Sequence, residues 1–161
     1  STLGKNKIGQ IIDELCQDYF CFSSQGTTKK AVLDQLLHLL SVNEAPNYQE
    51  EMQKQMDNRM QLGEIFFSST IVVPHPVMPV GNISKVGIAL IPSGFFWNEQ
   101  YPKVQFVFMI SPSKYENPDL TLMTKAIVDL IDRLELQQQL LSCQTFANFK
   151  RLFIQLIPKG A

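Results

Sequence analysis

Charged residues and long apolar runs are both scarce in this sequence. The 161 residues include 14 Lys and Arg and 15 Asp and Glu, which leaves a net charge of -1 and no basic cluster. Direct binding to nucleic acid needs a concentrated basic surface, so we do not expect it of this chain. No apolar run approaches the roughly 18 residues that a membrane-spanning helix needs, and the first residues lack the apolar core of a signal peptide. We therefore expect no binding to membranes.

Cysteine is rare, and its spacing suggests no disulfide pairing. Cysteines occur at positions 16, 21 and 143, an odd number without a CxxC pair. This usage is typical of reduced thiols in a cytoplasmic protein, and we predict that location. Cys16 and Cys21 stand among apolar residues, where a thiol usually acts as a small core side chain rather than as a reactive group.

Motifs for nucleotide and metal chemistry are missing as well. The chain has no GxxxxGK[ST] loop, no GxGxxG and no GxSxG, so we expect neither a nucleotide-phosphate loop nor a serine hydrolase site. Its two histidines, His38 and His75, are far apart and belong to no HxH or HExxH pattern. The sequence therefore predicts neither a metal site nor a cofactor.

Apolar residues at helical spacing alternate along the chain with short apolar or β-branched runs. The helical pattern covers 5–17, a segment capped by Thr27 and Thr28, 47–62, 120–134, a short stretch around 135–142, and 146–156. Strand-like runs occupy 18–24, 70–73, 86–91 and 104–110. Strands that are apolar throughout need cover on both faces. The sequence therefore predicts an α/β fold, a three-layer α/β/α sandwich around a small mixed sheet. We expect residues 1–17 to form an N-terminal helix or linker that packs on a domain formed by 18–161.

Two features of the predicted helices have alternative interpretations. Met52, Met56 and Met60 form a stripe that can be a packed core face or an adaptable binding face, and we favour the core. His38 lies in a helical segment but away from its apolar stripe, so we expect a solvated surface histidine.

His75 follows a β-branched strand directly and lies between Pro74 and Pro76. The fixed φ of each proline, and the extended bias of a residue before proline, leave its backbone little freedom. A neutral imidazole is nucleophilic near pH 7 and leaves readily when protonated, so His75 is suited to relay a group to or from a partner. A turn histidine that only caps the strand is equally compatible with this local pattern.

The stretch from Arg59 to Pro76 resembles the signature region of mannitol/fructose-type enzyme IIA domains of the bacterial sugar phosphotransferase system (PTS). That pattern has an Arg-Glu pair, a loop with Thr and Gly, and an apolar strand ending in Pro-His-Gly or Pro-His-Pro. Here Arg59 precedes His75 by sixteen residues, as in the pattern. The resemblance extends over about 18–156 and implies the family's α/β/α fold. It also implies that His75 accepts a phosphoryl group from phospho-HPr and that Arg59 stabilises the phosphate charge.

These implied roles agree with the chemistry of phosphoryl transfer, which depends mainly on positioning and charge stabilisation. An Arg guanidinium binds phosphate oxygens in a bidentate manner, and such charge-assisted bonds are strong. Ser69 and Thr70, just upstream on the strand, are further candidates as hydroxyl donors to the phosphate.

Three positions depart from the family pattern. Met60 stands where the pattern has Glu, Ser68 where it has Gly, and Asp119 where many members carry a second histidine at the start of the helix after the last strand. The missing histidine is unfavourable for onward transfer to an enzyme IIB. Asp119 could fix the tautomer of His75, but its charge would repel an incoming phosphate, so its role stays open.

The Pro-His-Pro form and Trp97 are similar to a subgroup fused to the C-terminus of PRD-type transcriptional regulators and antiterminators. An excised C-terminal domain of that kind would explain why the chain begins with Ser1. The leading hypothesis is therefore a phosphorylation-sensing domain whose partners are phospho-HPr and the remaining domains of a regulator.

Two other functions stay open. The chain could be a transport enzyme IIA, a phosphotransferase that relays phosphate to an enzyme IIB and a fructose- or mannitol-like sugar. It could instead be a degenerate module that binds proteins without taking phosphate. The apolar residues Val77, Met78 and Val80 beside His75 are candidates for the docking surface, or they pack against the domain's own helices.

Overall fold

A four-stranded mixed sheet organises the chain. The computed structural model describes residues 2–22, 27–63 and 65–157, with side chains from residue 7 onward. In chain order the elements are α1 (Thr2–Cys16), β1 (Phe20–Phe22), α2 (Lys29–Leu40), α3 (Tyr48–Gln61), β2 (Ile71–Val72), β3 (Lys85–Phe95), β4 (Val104–Ser111), α4 (Pro118–Leu130), α5 (Leu134–Leu141) and α6 (Phe146–Phe153). Short 3-10 turns follow α1 and α6. The predicted order of helices and strands is confirmed.

The strands lie in the order β1-β3-β4-β2. The two central strands β3 and β4 are antiparallel, whereas each outer strand is parallel to its neighbour. Because β2 and β4 run in the same direction, the segments that follow them leave the sheet at the same edge. The N–H of Ile110 donates to the carbonyl of Pro74 at 2.9 Å, which extends the pairing as far as the residue before His75.

Both faces of the sheet are buried. One face packs against α1, α4, α5 and α6, and the other packs against α2 and α3. Side chains of β4 alternate between the two cores: Phe106 and Phe108 join the first, and Val107 and Met109 join the second. This arrangement confirms the predicted three-layer α/β/α sandwich.

Several element boundaries differ from the prediction. The strand expected over 18–24 is limited to Phe20–Phe22, because the chain before it forms a 3-10 turn; residues 23 and 24 lie outside the described residues. The strand expected over 86–91 runs on to Phe95. Apolar spacing predicts that Leu134 belongs to the same helix as Leu130. In the structure α4 ends at Leu130 and Leu134 begins α5, where it is 69% exposed.

Other predictions for single residues are confirmed. Thr28 caps α2, because its hydroxyl accepts a hydrogen bond from the N–H of Ala31 at 3.1 Å. Met52 and Met56 are fully buried in the core between α3 and the sheet, and Met60 packs at its border. His38 is exposed.

A buried ion pair connects α2, β3 and the chain before β3. Lys85 and Glu44 have side chains only 1% and 2% exposed, and their charged atoms lie 3.1 Å apart. The Lys85 ammonium also donates to the carbonyls of Leu40 and Val42 at the end of α2, which occupies all three of its hydrogens. Glu44 in turn accepts from the N–H of Asn82. The pair therefore joins three segments, and neither charge is left unpaired.

We expect Lys85→Met to lower the free energy of unfolding by about 3 kcal/mol, because it leaves the buried Glu44 carboxylate without its cation. Chemical denaturation measures this loss. The matched control is Lys30→Met, which breaks an ion pair with Asp34 whose side chains are 85% and 53% exposed. Lys30→Met should change the free energy of unfolding by less than about 0.5 kcal/mol. Equal losses in the two variants would contradict the prediction.

Burial raises the pKa of the Cys21 thiol to about 11, from an ordinary value of 9.0. A thiol whose pKa is raised in the folded state stabilises the fold below its ordinary pKa, and that contribution disappears as the pH rises through the higher value. We therefore expect the free energy of unfolding to fall by about 2 kcal/mol between pH 8.5 and pH 11 through Cys21. Denaturation curves across this range, compared with those of Cys21→Ala, measure the effect. An identical pH dependence in the variant would contradict it.

Candidate functional site

His75 lies at the edge of the sheet where β2 and β4 end. Beyond β2, the N–H of Val73 donates to the carbonyl of Ile65 at 2.9 Å, and Pro74 accepts from Ile110. The chain is thus hydrogen-bonded on both sides up to the residue before His75, and Pro76 restricts the conformation of His75 itself. The imidazole is half-buried, with part of its surface accessible from outside.

Two hydrogen bonds fix the imidazole ring of His75. Its Nδ1 lies 2.8 Å from the carbonyl oxygen of Val73, and its Nε2 lies 3.2 Å from Nε of Arg59. A carbonyl can only accept and a guanidinium can only donate, so Nδ1 carries the hydrogen and Nε2 presents its lone pair. The site therefore selects the neutral tautomer in which Nε2 is the nucleophilic nitrogen.

Arg59 lies in the last turn of α3, sixteen residues before His75. Its Nη1 also donates to the carbonyl of Gly63 at 3.4 Å, just past the end of the helix. These contacts hold a planar cation beside the nucleophilic nitrogen. A phosphoryl group on Nε2 would meet the same guanidinium, which matches phosphate oxygens in a bidentate manner.

The chain after His75 is tied to the same helix. The N–H of Val77 donates to the carbonyl of Gln55 at 3.3 Å, and the N–H of Met78 donates to the Gln55 side-chain oxygen at 3.2 Å. The side chains of Val77 and Met78 are 43% and 60% exposed, whereas Val80 packs against the core. Leu62, at the end of α3 near Arg59, is 74% exposed. Exposed apolar residues thus lie within three positions of both Arg59 and His75 along the chain.

No hydrogen bond in the described part of the chain joins His75 to the other predicted site residues. Ser69 is exposed and Thr70 half-buried, both before β2, at the strand end opposite His75. Asp119 lies in the first turn of α4, where its N–H donates to the Asn117 side chain at 2.9 Å. Among the described residues, His75 makes hydrogen bonds to Arg59 and Val73 and to none of these three. Their roles in phosphate binding stay predictions.

Gln55 is the residue at this site that the sequence analysis missed. It precedes Arg59 by four residues, so both side chains lie on one face of α3. That spacing could have pointed to Gln55. Nothing in the pattern, however, indicates that the backbone N–H groups after His75 turn toward the helix.

The described part of the chain contains neither a cluster of metal ligands nor a membrane-spanning helix. No group of three His, Cys, Asp or Glu side chains there could hold a metal ion. No helix among residues 2–22, 27–63 and 65–157 is long and apolar enough to cross a membrane.

Comparison with known proteins identifies the family. Residues 15–155 match the family model described as "Phosphoenolpyruvate-dependent sugar phosphotransferase system, EIIA 2". The chain belongs to this family. The matched region contains β1 to β4 and the Arg59–His75 pair, so the PTS enzyme IIA domain includes the site described above.

A regulator is among the relatives of this enzyme IIA domain. The chain is 24% identical over 106 residues to the probable licABCH operon regulator of Bacillus subtilis (strain 168). The match covers 66% of the chain but 16% of that regulator's length. The relative is therefore a much longer protein, of which the matched region is a small part.

Solved structures confirm the fold. The nitrogen regulatory protein IIA-Ntr of Neisseria meningitidis superposes with a TM-score of 0.68 at 12% identity, over 89% of this chain and 99% of that one. The enzyme IIAMTL of Escherichia coli, solved in complex with phosphorylated enzyme IIBMTL, gives 0.63 at 16% identity, over 86% and 95%. At such low identities the likeness concerns the mannitol-type enzyme IIA fold alone.

The hydrogen bonds of His75 predict its tautomer in solution. In the neutral imidazole we expect Nδ1 to carry the hydrogen and Nε2 to carry none, because Val73 and Arg59 select that tautomer. Nitrogen-15 correlation spectra of the histidine rings measure the two ring nitrogens separately. Exposed His38 is the internal control and should show a mixture of tautomers. A mixture at His75 as well would contradict the geometry.

Proposed function

We propose that this chain is a phosphorylation-sensing enzyme IIA domain in which Nε2 of His75 accepts a phosphoryl group from phospho-HPr. The contact between Arg59 Nε and His75 Nε2 is the observation that carries the proposal. It joins a nucleophilic nitrogen in a fixed tautomer to the cation best suited to bind the transferred group.

The transfer follows from this geometry. As phospho-HPr docks, the guanidinium of Arg59 moves its hydrogen bond from Nε2 to the oxygens of the phosphoryl group. The Nε2 lone pair then forms a bond to phosphorus, the bond from phosphorus to the donor's imidazole breaks, and its electron pair returns to the donor ring. The hydrogen stays on Nδ1 and keeps donating to the Val73 carbonyl oxygen, which stabilises the positive charge that develops on the ring.

The exposed side chains of Leu62, Val77 and Met78 support the docking step of this proposal. Leu62 follows Arg59 by three residues, and Val77 and Met78 follow His75 by two and three. Exposed apolar residues so close to the site favour contact with a protein donor. We propose them as the surface that phospho-HPr covers.

The regulatory role rests on the relative and on Asp119. An operon regulator is among the proteins that resemble this chain, and Asp119 occupies the position where many family members carry a second histidine. Phosphorylation adds negative charge and three acceptor oxygens at His75, which can change contacts with neighbouring domains. The proposed partners are therefore phospho-HPr and the rest of a cytoplasmic regulator.

The transport role is the second candidate, because one similar fold was solved in complex with a phosphorylated enzyme IIB. In that role the chain would pass phosphate to an enzyme IIB and a fructose- or mannitol-like sugar. A non-phosphorylated interaction module is the third candidate, and the replacements at Met60, Ser68 and Asp119 are compatible with it.

Phosphate incorporation from phosphoenolpyruvate, with purified enzyme I and HPr, tests the proposal. We expect acid-labile label on the wild-type chain and none on His75→Ala, because the acceptor nitrogen is gone. Arg59→Ala should slow labelling about 100-fold, since one preorganised donor to the phosphoryl group is lost.

The controls are His38→Ala, which removes the exposed histidine of α2, and Lys54→Ala, which removes an exposed cation of α3; both should label at the wild-type rate. No label on the wild-type chain would exclude the sensor and the transporter and leave the interaction module. Rapid loss of label to an added enzyme IIB would favour the transporter over the sensor.

A further inference from the structure

One face of α3 carries three polar side chains at intervals of four residues: Glu51, Gln55 and Arg59. Arg59 contacts His75 directly. Gln55, one turn earlier, receives the backbone N–H groups of Val77 and Met78, the second and third residues after His75. The same helix face therefore touches the imidazole and the chain that follows it.

The Gln55 side-chain amide is held in one orientation. Its nitrogen donates to the Glu51 carboxylate at 3.3 Å, and its oxygen accepts from Met78 at 3.2 Å. A carboxylate can only accept and a backbone N–H can only donate, so an amide turned by 180° would lose both hydrogen bonds. Glu51 thus keeps the acceptor oxygen of Gln55 directed at the chain after His75.

Because Val77 is only two residues after His75, fixing the position of Val77 also constrains the backbone of His75. Only Pro76 separates the two residues, and the proline ring fixes its own φ and restricts the conformation of His75. On the other side, Pro74 is fixed by its hydrogen bond with Ile110. His75 therefore lies between one anchor on β4 and one on α3.

We propose that Gln55 is a positioning residue for phosphoryl transfer: it holds the chain after His75 so that Nε2 stays in line with Arg59. This inference rests on the proposed function. Gln55 does not touch the transferred group, and its contribution is the placement of the acceptor nitrogen. Displacing a reacting atom by about 1 Å can slow a reaction by up to 100-fold.

The test compares Gln55→Met with Gln53→Met. Methionine keeps the length and helix preference of glutamine but removes the side-chain oxygen that accepts from Met78, while the backbone carbonyl that accepts from Val77 remains. Gln53 lies on the same helix and donates to Asp57 at 2.9 Å within that helix, so its variant removes a comparable hydrogen bond away from His75. The three proteins are compared by thermal unfolding, by nitrogen-15 spectra of the His75 ring, by hydrogen exchange of the Met78 amide and by labelling kinetics with phospho-HPr.

For Gln55→Met we expect the maximal labelling rate to fall about tenfold. The phospho-HPr concentration that gives half of this rate should change less than twofold. The Nε2 signal of His75 should shift and the Met78 amide should exchange about tenfold faster, since both lose their fixed positions. Gln53→Met should match the wild type in every respect. This combination supports a positioning role.

Two results would overturn the inference. The first is that Gln55→Met keeps the ring signals and the labelling rate of the wild type. The second is that both variants lose labelling rate equally and both unfold at a lower temperature. Absence of label on the wild-type chain is a different result. It removes the proposed function, and the His75 ring signal of Gln55→Met then decides whether Gln55 sets the position of the imidazole.

Discussion

The burial of both faces of the β3–β4 pair is the constraint on which the rest of this structure depends. Helices cover the sheet on each side, so charged or nucleophilic groups near it are confined to the strand ends unless they are fully paired. Lys85 illustrates the exception, because its ammonium is surrounded by the Glu44 carboxylate and two carbonyls at the end of α2. His75 illustrates the rule, because it lies just beyond a strand end, at the edge that β2 and β4 share.

Helix α3 serves the core and the site at the same time. Met52 and Met56 face the sheet and are fully buried, while Gln55 and Arg59 lie on an adjacent face and reach the chain around His75. With about 3.6 residues per turn, both sets can recur every three to four residues on one helix without conflict. The packing of the methionines thus fixes the rotation of the helix. That rotation in turn fixes where the guanidinium lies relative to the imidazole.

Much of this arrangement could be predicted from the sequence, for identifiable reasons. The apolar strands around 88 and 107 indicated a sheet covered on both faces, and the interval between Arg59 and His75 matched a known pattern. The burial of Lys85 could not be predicted, because a lysine at a strand end usually extends into solvent, and its partners come from residues more than forty positions earlier. The contacts of Gln55 with the chain after His75 could not be predicted for a similar reason. Its partners are backbone N–H groups, which every non-proline residue has.

The end of α4 shows a different limit of sequence patterns. Leu134 continues the apolar spacing of Met123, Ile127 and Leu130, so periodicity alone extends the helix to include it. In the structure the helix ends at Leu130, and Leu134 begins α5 with a largely exposed side chain. An apolar residue in the right register is therefore not enough to place it in the core, since a change of chain direction removes it from the buried face.

The proposed sensor differs from a relay in how long it should hold its phosphate. In the unphosphorylated state Arg59 donates a hydrogen bond to Nε2 of His75. After phosphorylation the guanidinium would donate to phosphoryl oxygens instead, and these charged acceptors bind it more strongly. Many family members carry a histidine at the position of Asp119, and a histidine can donate a hydrogen bond whereas an ionised carboxylate can only accept one. The proposed sensor therefore keeps the Arg59 cation but lacks that histidine donor. We expect it to retain its phosphoryl group longer than a relay would.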